Sequence, residues 1–211
     1  MEIAKRIDHT LLKPDATSDD IKTLCKEAIL HGFHSVCIHP SRIEEAKECL
    51  GDEAVKITTV IGFPLGANTT ATKVQEIEDA LQRGADELDV VQNVGWVKEK
   101  RWETLREEYR AIRRAAKDHC LKMILETGSL TEDEIIACTR IAREEGYDYV
   151  KTSTGFVAGG ATLDAVETMK AHAGNGMKVK ASGGIGSKEE AEKMIEAGAD
   201  RLGTSRSLQI I

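Results

Sequence analysis

A lysine at the end of a short β-branched and aromatic run is the residue best placed for covalent chemistry. The segment Asp148–Gly155 reads Asp-Tyr-Val-Lys-Thr-Ser-Thr-Gly, so hydroxyl-bearing residues and a glycine follow Lys151 at once. An ammonium is costly to desolvate, whereas a neutral amine in a dry site attacks carbonyl carbons and forms a Schiff base. The pattern predicts Lys151 as such a nucleophile; a rim lysine reaching solvent is the alternative.

A second lysine in a similar setting favours the catalytic interpretation. Lys180 ends the run Met177–Lys180 and precedes Ala-Ser-Gly-Gly. A second ammonium near Lys151 would disfavour protonation of that amine, and burial would act in the same direction. Lys122 and Lys178 also interrupt strand-like runs, so they are competitors for either role or residues of a barrel's closed end.

The elements that would position these lysines alternate along the chain. Strand-like runs lie at about 7–12, 34–38, 55–61, 86–91, 120–126, 148–152, 178–181 and 200–203. Helical patterns lie at about 18–30, 41–50, 70–83, 98–117, 131–145, 162–173 and 187–197. Strands joined by single helices pair in parallel, so eight of them predict a closed (β/α)8 TIM barrel. We expect one domain over residues 1–211, with a last helix that is short or absent.

One short pattern occurs three times and relates the candidate residues to each other. It begins at Gly84, Gly146 and Gly198, has Asp at the third position, and ends at Asp89, Lys151 and Gly203. These last positions fall on the fourth, sixth and eighth strands, and alternate strands contribute to one interior layer of a barrel. The repeated pattern predicts that Asp89 and Lys151 project into the barrel together, near its mouth. The alternative is that the pattern serves only the packing of the barrel.

Asp89 is the predicted ionised partner of the lysines. A carboxylate there would hold the amines and relay protons through water, which a carbinolamine needs in order to lose water. A structural salt bridge is its alternative role. Asp8 stands at the end of the first strand-like run, which has the least pronounced strand pattern of the eight. There it would bind a substrate hydroxyl or form an N-terminal cap.

Three loops of small residues follow the late strands and are typical of phosphate sites. They are Ser153-Thr154-Gly155, Ser182-Gly183-Gly184 and Gly203-Thr204-Ser205. Backbone N–H groups and helix N-termini bind anions, and barrel phosphate sites favour the loops after strands seven and eight. The predicted substrate is therefore a phosphorylated carbonyl compound.

Composition excludes several other classes. The formal net charge is −7 without a basic block, which argues against a nucleic-acid partner. The chain has no apolar run long enough for a membrane span and no signal-peptide core. Its five cysteines lack Cys-x-x-Cys spacing, so we expect reduced thiols and a cytoplasmic location. No two of the six histidines have His-x-x-x-His spacing, which argues against a metal site.

These residues resemble the deoxyribose-phosphate aldolase family of class I aldolases over nearly the whole chain. The similar segments are Ile7–Leu12, Ser35–Ile38, Val60–Gly66, Glu87–Val91, Val150–Phe156 and Lys180–Ile185. The resemblance implies Lys151 as the Schiff-base lysine, Lys180 as its activating neighbour and Asp89 as the acid/base partner. It also implies substrate-hydroxyl contacts from Asp8, Thr10 and Thr154, and a phosphate cradle of Gly155, Gly183, Gly184, Gly203 and Ser205.

The chain departs from the family at four positions. His39 stands where the family usually has asparagine, Gly186 where arginine is common, and Phe156 where one branch has lysine. Arg206 occupies a position that is often serine, and we expect it to replace part of the missing positive charge at the phosphate.

The resemblance implies reversible cleavage of 2-deoxy-D-ribose 5-phosphate to acetaldehyde and D-glyceraldehyde 3-phosphate, without a metal or organic cofactor. It also leads us to expect a homo-oligomer, either a dimer or a tetramer. Another Schiff-base sugar-phosphate aldolase or transaldolase is the first alternative, and a non-catalytic phosphosugar-binding barrel is the second.

Overall fold

The computed structural model describes residues 3–157 and 159–211. Within them, eight parallel strands form a closed barrel in which each strand pairs with the next along the chain and β8 pairs with β1. The strands are β1 (Ile7–Leu11), β2 (Ser35–Ile38), β3 (Lys56–Ile61), β4 (Glu87–Val91), β5 (Cys120–Ile124), β6 (Tyr149–Lys151), β7 (Lys178–Ser182) and β8 (Arg201–Thr204). The predicted TIM barrel is confirmed.

Helices surround this barrel. They are α1 (Ser18–His31), α2 (Ile43–Leu50), α3 (Thr70–Arg83), α4 (Val94–Lys98), α5 (Trp102–Ala116), α6 (Glu132–Glu144), α7 (Leu163–Ala173) and α8 (Lys188–Glu196). After β8 there is one 3-10 turn, Ser207–Gln209, in agreement with the short last helix expected. None of the helices within the described ranges has the length and apolar character needed to cross a bilayer.

The helix predicted over 98–117 corresponds to α5, which begins four residues later, and the short helix α4 that ends at Lys98 was not predicted. Asn93 caps α4 by accepting a hydrogen bond from the Trp96 amide at 3.2 Å. Lys100 has a left-handed backbone (φ 56°), which separates α4 from α5. The charged run from residue 98 to 101 contains neither glycine nor proline, so its helical periodicity conceals this break.

Local capping agrees with the predicted helix boundaries. Thr131 and Glu134 form a capping box at α6, and Ser187 and Glu190 form one at α8. Glycines that follow six of the helices have positive φ, a conformation that costs glycine little: Gly32, Gly51, Gly84, Gly146, Gly174 and Gly198.

The aspartate at the third position of the repeated pattern has a structural role. Each one accepts a hydrogen bond from the amide of a residue near the start of the preceding strand. The pairs are Asp86 with Ile57 at 2.8 Å, Asp148 with Leu121 at 2.9 Å, and Asp200 with Val179 at 2.9 Å. The pattern therefore has two parts: its third residue joins neighbouring strands, and its last residue lies inside the barrel.

Apolar and polar residues are divided between the two faces of the barrel. On β4, Leu88 and Val90 belong to the apolar layer shared with the helices, while Glu87 and Asp89 alternate with them. The barrel interior therefore contains many buried charges, whereas most TIM barrels fill this space with branched apolar side chains.

Candidate active site

A cavity of about 250 Å³ opens at the carboxyl ends of the strands, where TIM barrels carry their active sites. Most of the predicted site residues line it: Thr10, Lys151, Thr154, Gly155, Gly183, Gly184, Gly203 and Ser205. Leu11, Leu12, Lys13, Phe156 and Ser182 complete the wall.

Lys151 lies at the floor of this cavity and is 3 % exposed. It ends β6 opposite Lys180 of β7, and its Nζ donates a hydrogen bond to Asp89 Oδ2 at 2.7 Å. The prediction that Asp89 and Lys151 meet inside the barrel is confirmed. An amine that is almost dry and still borders the cavity can attack a carbonyl carbon bound there.

Lys180 shares the same carboxylate oxygen. Its Nζ donates to Asp89 Oδ2 at 2.7 Å and also forms an ion pair with Asp8. Burial by itself would lower the pKa of Lys180, but Asp8 and Asp89 outweigh burial and raise that pKa above its ordinary value. Lys180 is therefore a fixed cation beside Lys151. Gly203 provides space for it, since a Cβ there would lie 3.0 Å from Lys180 Cε.

A deeper layer of charged residues lies beneath this pair. It contains Lys122, which the sequence left as a competitor for either lysine role or a residue of the closed end, together with Glu87 and Arg201, which were not predicted. Lys122 Nζ lies 2.6 Å from Glu87 Oε2 and 2.9 Å from Asp89 Oδ1. Arg201 donates to Tyr149 Oη at 3.2 Å. A sequence signal for this layer existed, because Glu87, Tyr149 and Arg201 each precede by two residues the last position of the repeated pattern, and residues two apart on a strand share a face.

The interior charge cluster consists of the contacting residues Asp8, Glu87, Asp89, Lys122, Lys151, Lys180 and Arg201. It contains four basic side chains and three carboxylates. If Lys151 is the neutral amine that nucleophilic attack requires, the other three cations balance the three carboxylates. The cluster therefore contains one more basic side chain than carboxylates, and Lys151 is the basic member that borders the cavity.

Asp8 lies below the cavity wall. It is fully buried, and its Oδ1 accepts hydrogen bonds from Ser35 Oγ and Arg201 Nη1, each at 2.8 Å. The structure therefore places Asp8 against Lys180 and not at the cavity surface. Lys178 is exposed at the opposite end of β7, so it is no competitor for the nucleophile.

The predicted phosphate loops lie together at one side of the cavity. Gly183 and Gly184 have φ of 89° and 81°, values that other residues rarely adopt. A second cavity of about 300 Å³ adjoins these glycines and is lined by Gly203, Ser205 and Arg206 among others. These loops and Arg206 are therefore close enough together to hold one anion.

Arg206 occupies the space that Gly186 leaves open. A Cβ at Gly186 would lie 2.7 Å from Arg206 Nη1. The two departures from the family are therefore coupled in space: the position without its usual arginine is covered by an arginine from the β8 loop. Lys13, which no sequence pattern indicated as a site residue, is a further cation on the cavity wall.

One group of possible metal ligands occurs among the described residues: atoms of Asp8, His34 and Glu87 lie within 4.8 Å of one another. Its carboxylates already receive hydrogen bonds or ion pairs from Arg201, Ser35 and Lys122. A metal ion would have to displace these cations, so the group does not fit a metal site.

Acid should destabilise the fold through this cluster. Burial would raise the pKa of Asp89 and of Glu87, but neighbouring cations and hydrogen bonds outweigh it, holding the pKa of Asp89 well below 3.8 and that of Glu87 at about 2. Carboxyls with lowered pKa stabilise the fold above their unfolded pKa and lose that contribution as pH falls. We expect the melting temperature to decrease as the pH is lowered below about 4.

Melting curves followed by circular dichroism at pH values from about 2 to about 8 measure this dependence, because this range includes the titration of carboxyls. The Glu87→Gln variant should have a shallower dependence than the wild type, and the exposed Glu53→Gln variant should match the wild type. A midpoint that is unchanged at the acidic end would contradict the prediction.

The chain is similar in sequence to known aldolases. The family model described as DeoC/LacD family aldolase matches residues 3–205. The chain is 51% identical over 211 residues to the deoxyribose-phosphate aldolase of Staphylococcus carnosus (strain TM300), a match covering 100% of this chain and 96% of that protein. It is 48% identical, with the same coverage, to deoxyribose-phosphate aldolase 2 of Staphylococcus aureus (strain MRSA252).

Solved structures give the same result. The deoxyribose phosphate aldolase of Aeropyrum pernix, described as a unique tetrameric structure, matches with a TM-score of 0.90 and 37% identity over 99% of this chain and 88% of that chain. The aldolase QR15 matches with a TM-score of 0.94 and 41% identity over 99% and 93% of the two chains. By sequence and by structure, this chain belongs to the DeoC/LacD family of aldolases.

Proposed function

We propose that this chain catalyses the reversible cleavage of 2-deoxy-D-ribose 5-phosphate to acetaldehyde and D-glyceraldehyde 3-phosphate. The observation that carries the proposal is the amine of Lys151 at the cavity floor, joined to Lys180 through one oxygen of Asp89. The relatives named for this activity match over the full chain and support the same substrate.

In the proposed mechanism, neutral Lys151 adds to C1 of the open-chain sugar, and the resulting carbinolamine loses water to give an iminium ion. The C2–C3 bond then breaks, its electrons form the enamine, and the C3 hydroxyl loses its proton as D-glyceraldehyde 3-phosphate departs. Protonation of the enamine at C2 gives the iminium of acetaldehyde, and hydrolysis frees Lys151.

Asp89 and Lys180 are proposed to serve the proton transfers. Asp89 is fully buried and contacts both amines, so it can hold Lys151 in position and exchange protons through these amines. Asp8 has both oxygens engaged within the barrel, which favours a role through Lys180 over the direct substrate contact implied by the resemblance. Thr10 and Thr154 line the cavity and are proposed to contact substrate hydroxyls.

One experiment separates this function from its alternatives. Purified protein is incubated with deoxyribose 5-phosphate, with acetaldehyde or with dihydroxyacetone, then treated with borohydride and examined by mass spectrometry. The proposed function predicts cleavage of the sugar and a reduced acetaldehyde adduct. Reaction with dihydroxyacetone units alone would indicate a different Schiff-base aldolase or a transaldolase, and sugar binding without any adduct would indicate a non-catalytic barrel.

Activity should persist after exhaustive chelation. In the group Asp8, His34 and Glu87, the two carboxylates are engaged with cations and a serine. The proposed mechanism polarises the carbonyl by iminium formation. Turnover before and after dialysis against EDTA is the measurement. A loss that a divalent ion restores would place the protein among metal-dependent aldolases.

Arg206 should contribute to phosphate binding. It lines the cavity beside the glycine loops, and a charge-assisted contact there is worth roughly 1–3 kcal/mol. We expect Arg206→Ala to raise KM for deoxyribose 5-phosphate about tenfold, at ~1.4 kcal/mol per decade. Unphosphorylated deoxyribose is the matched control substrate and should be nearly unaffected. Equal effects on both sugars would place Arg206 outside the phosphate site.

We further propose that the chain is one domain over residues 1–211, that it acts in the cytoplasm and that it assembles as a dimer or tetramer. Its five cysteines are free thiols, as is usual in a reducing compartment. The tetramer described for the Aeropyrum pernix relative supports assembly. Light scattering of the purified protein measures the number of subunits.

A further inference from the structure

Glu126 is a buried acid beside the active-site cavity that the proposed mechanism does not use. It follows β5 and is 2 % exposed. Its backbone is left-handed, with φ 58° and ψ 58°, a conformation that residues other than glycine rarely adopt. A buried carboxyl on an unfavourable backbone is retained only where its contacts hold it there.

Those contacts are with Thr154, a residue of the cavity wall. Thr154 Oγ1 lies 2.5 Å from Glu126 Oε2, and the Thr154 amide donates to the same oxygen at 3.2 Å. The Phe156 amide donates to Thr154 Oγ1 at 3.1 Å. The carboxyl, the hydroxyl and two amides thus form one hydrogen-bond chain.

For an ionised Glu126, the number of available hydrogens fixes the direction of this chain. A threonine hydroxyl has one proton and two lone pairs. With Glu126 ionised, the proton of Thr154 is donated to the carboxylate, and one lone pair accepts from Phe156. The second lone pair has no donor among the residues that the structure describes. Thr154 can therefore accept one more hydrogen bond from the cavity but has no proton to donate.

We propose that Glu126 is a positioning residue that makes Thr154 an obligate hydrogen-bond acceptor for the C4 hydroxyl of the substrate. The inference rests on the proposed function, because it assumes that the sugar is bound as a Schiff base to Lys151. It extends that function by assigning a basis for selecting acceptor aldehydes that carry a 2-hydroxyl group.

The position of Thr154 points to C4. C1 of the sugar is bonded to Lys151, and the phosphate on C5 is assigned to the glycine loops. Thr154 lies between Lys151 and Gly155 in sequence and lines the same cavity as both. The C3 hydroxyl loses its proton in the reaction, so its partner must accept a proton. The C4 hydroxyl keeps its proton throughout and requires only an acceptor such as Thr154.

The test compares two acceptors in the synthetic direction, with acetaldehyde as donor. D-Glyceraldehyde 3-phosphate supplies the future C4 hydroxyl, and 3-phosphooxypropanal lacks it but keeps the phosphate. We expect Glu126→Met to lower kcat/KM about tenfold for the first acceptor and less than about threefold for the second, since a single hydrogen bond is lost. Thr154→Val should likewise lower kcat/KM more for the first acceptor than for the second.

Two further variants keep the test decisive if Glu126→Met folds poorly. Glu126→Gln retains an acceptor oxygen and should recover most of the selectivity that the methionine variant loses. The double variant Glu126→Met/Thr154→Val should lose no more selectivity than Thr154→Val does, because Glu126 acts through that hydroxyl. Thermal melts report the folded state of each protein.

The outcomes separate this inference from the proposed function. Equal losses with both acceptors, or additive losses in the double variant, would overturn the role of Glu126 while leaving the aldolase activity established by the wild type. A wild-type protein that forms no product with either acceptor would overturn the proposed function and this inference with it.

Discussion

Replacing Lys151 by alanine is expected to abolish turnover of deoxyribose 5-phosphate and covalent trapping by borohydride. Lys151 is the one member of the interior charge cluster that lines the cavity. The other lysine of the cavity wall, Lys13, is exposed and lies outside the cluster. Loss of a covalent nucleophile removes the whole covalent reaction pathway, which is more than the loss of one contact. The rate should therefore fall by at least about 10⁴-fold.

Mass mapping of the trapped wild type identifies the nucleophile directly. The acetaldehyde adduct should be found on Lys151, and the Lys151→Ala protein should remain unmodified. Lys178→Ala is the matched control, because Lys178 lies on the adjacent strand but is exposed at its far end. It should trap and turn over like the wild type. An adduct on Lys122 or Lys180 would show that the nucleophile has been assigned to the wrong residue.

Sequence reasoning succeeded where one local pattern determined one local structure. Strand-like runs between helical patterns located the eight strands, and the repeated Gly-x-Asp pattern located Asp89 and Lys151 on alternate strands. Such predictions depend on residues close together in the chain, whose geometry is set by the strand repeat.

Prediction from the sequence failed where contacts between residues distant in the chain determine the structure. The burial of Asp8 follows from Ser35 and Arg201, which lie on two other strands. The contact of Glu126 with Thr154 joins the ends of β5 and β6 across 28 residues. The position of Arg206 over Gly186 likewise depends on how two loops pack. No spacing rule within the chain encodes these contacts, because closure of the barrel creates them.

Lys180→Met is expected to slow the enzyme in a way that depends on pH. Lys151 and Lys180 each lie 2.7 Å from Asp89 Oδ2, so their nitrogens are within about 5.5 Å of one another. At that separation, an effective dielectric constant near 20 gives a repulsion of roughly 3 kcal/mol. Removing Lys180 removes this repulsion, which favours the charged form of Lys151 over the neutral amine that attacks the carbonyl, so attack should be slower.

The charge count of the cluster gives the same direction. Without Lys180, the three carboxylates are balanced by Lys122, Arg201 and a protonated Lys151, so the balance no longer favours a neutral nucleophile. We expect turnover and borohydride trapping at pH 7 to fall by about a hundredfold, at ~1.4 kcal/mol per tenfold change. The deficit should shrink as pH rises, because deprotonation then no longer depends on Lys180.

Two variants distinguish this electrostatic role from a specific hydrogen bond. Lys180→Arg keeps the positive charge and should leave the pH profile of trapping near that of the wild type. The double variant Asp89→Asn/Lys180→Met removes one charge of each sign, which restores the balance with neutral Lys151. Its trapping profile should therefore return toward the wild type, while turnover stays low because the proton relay through Asp89 is lost. If Lys180→Met loses the same factor at every pH, Lys180 acts by hydrogen bonding or substrate contact and not through its charge.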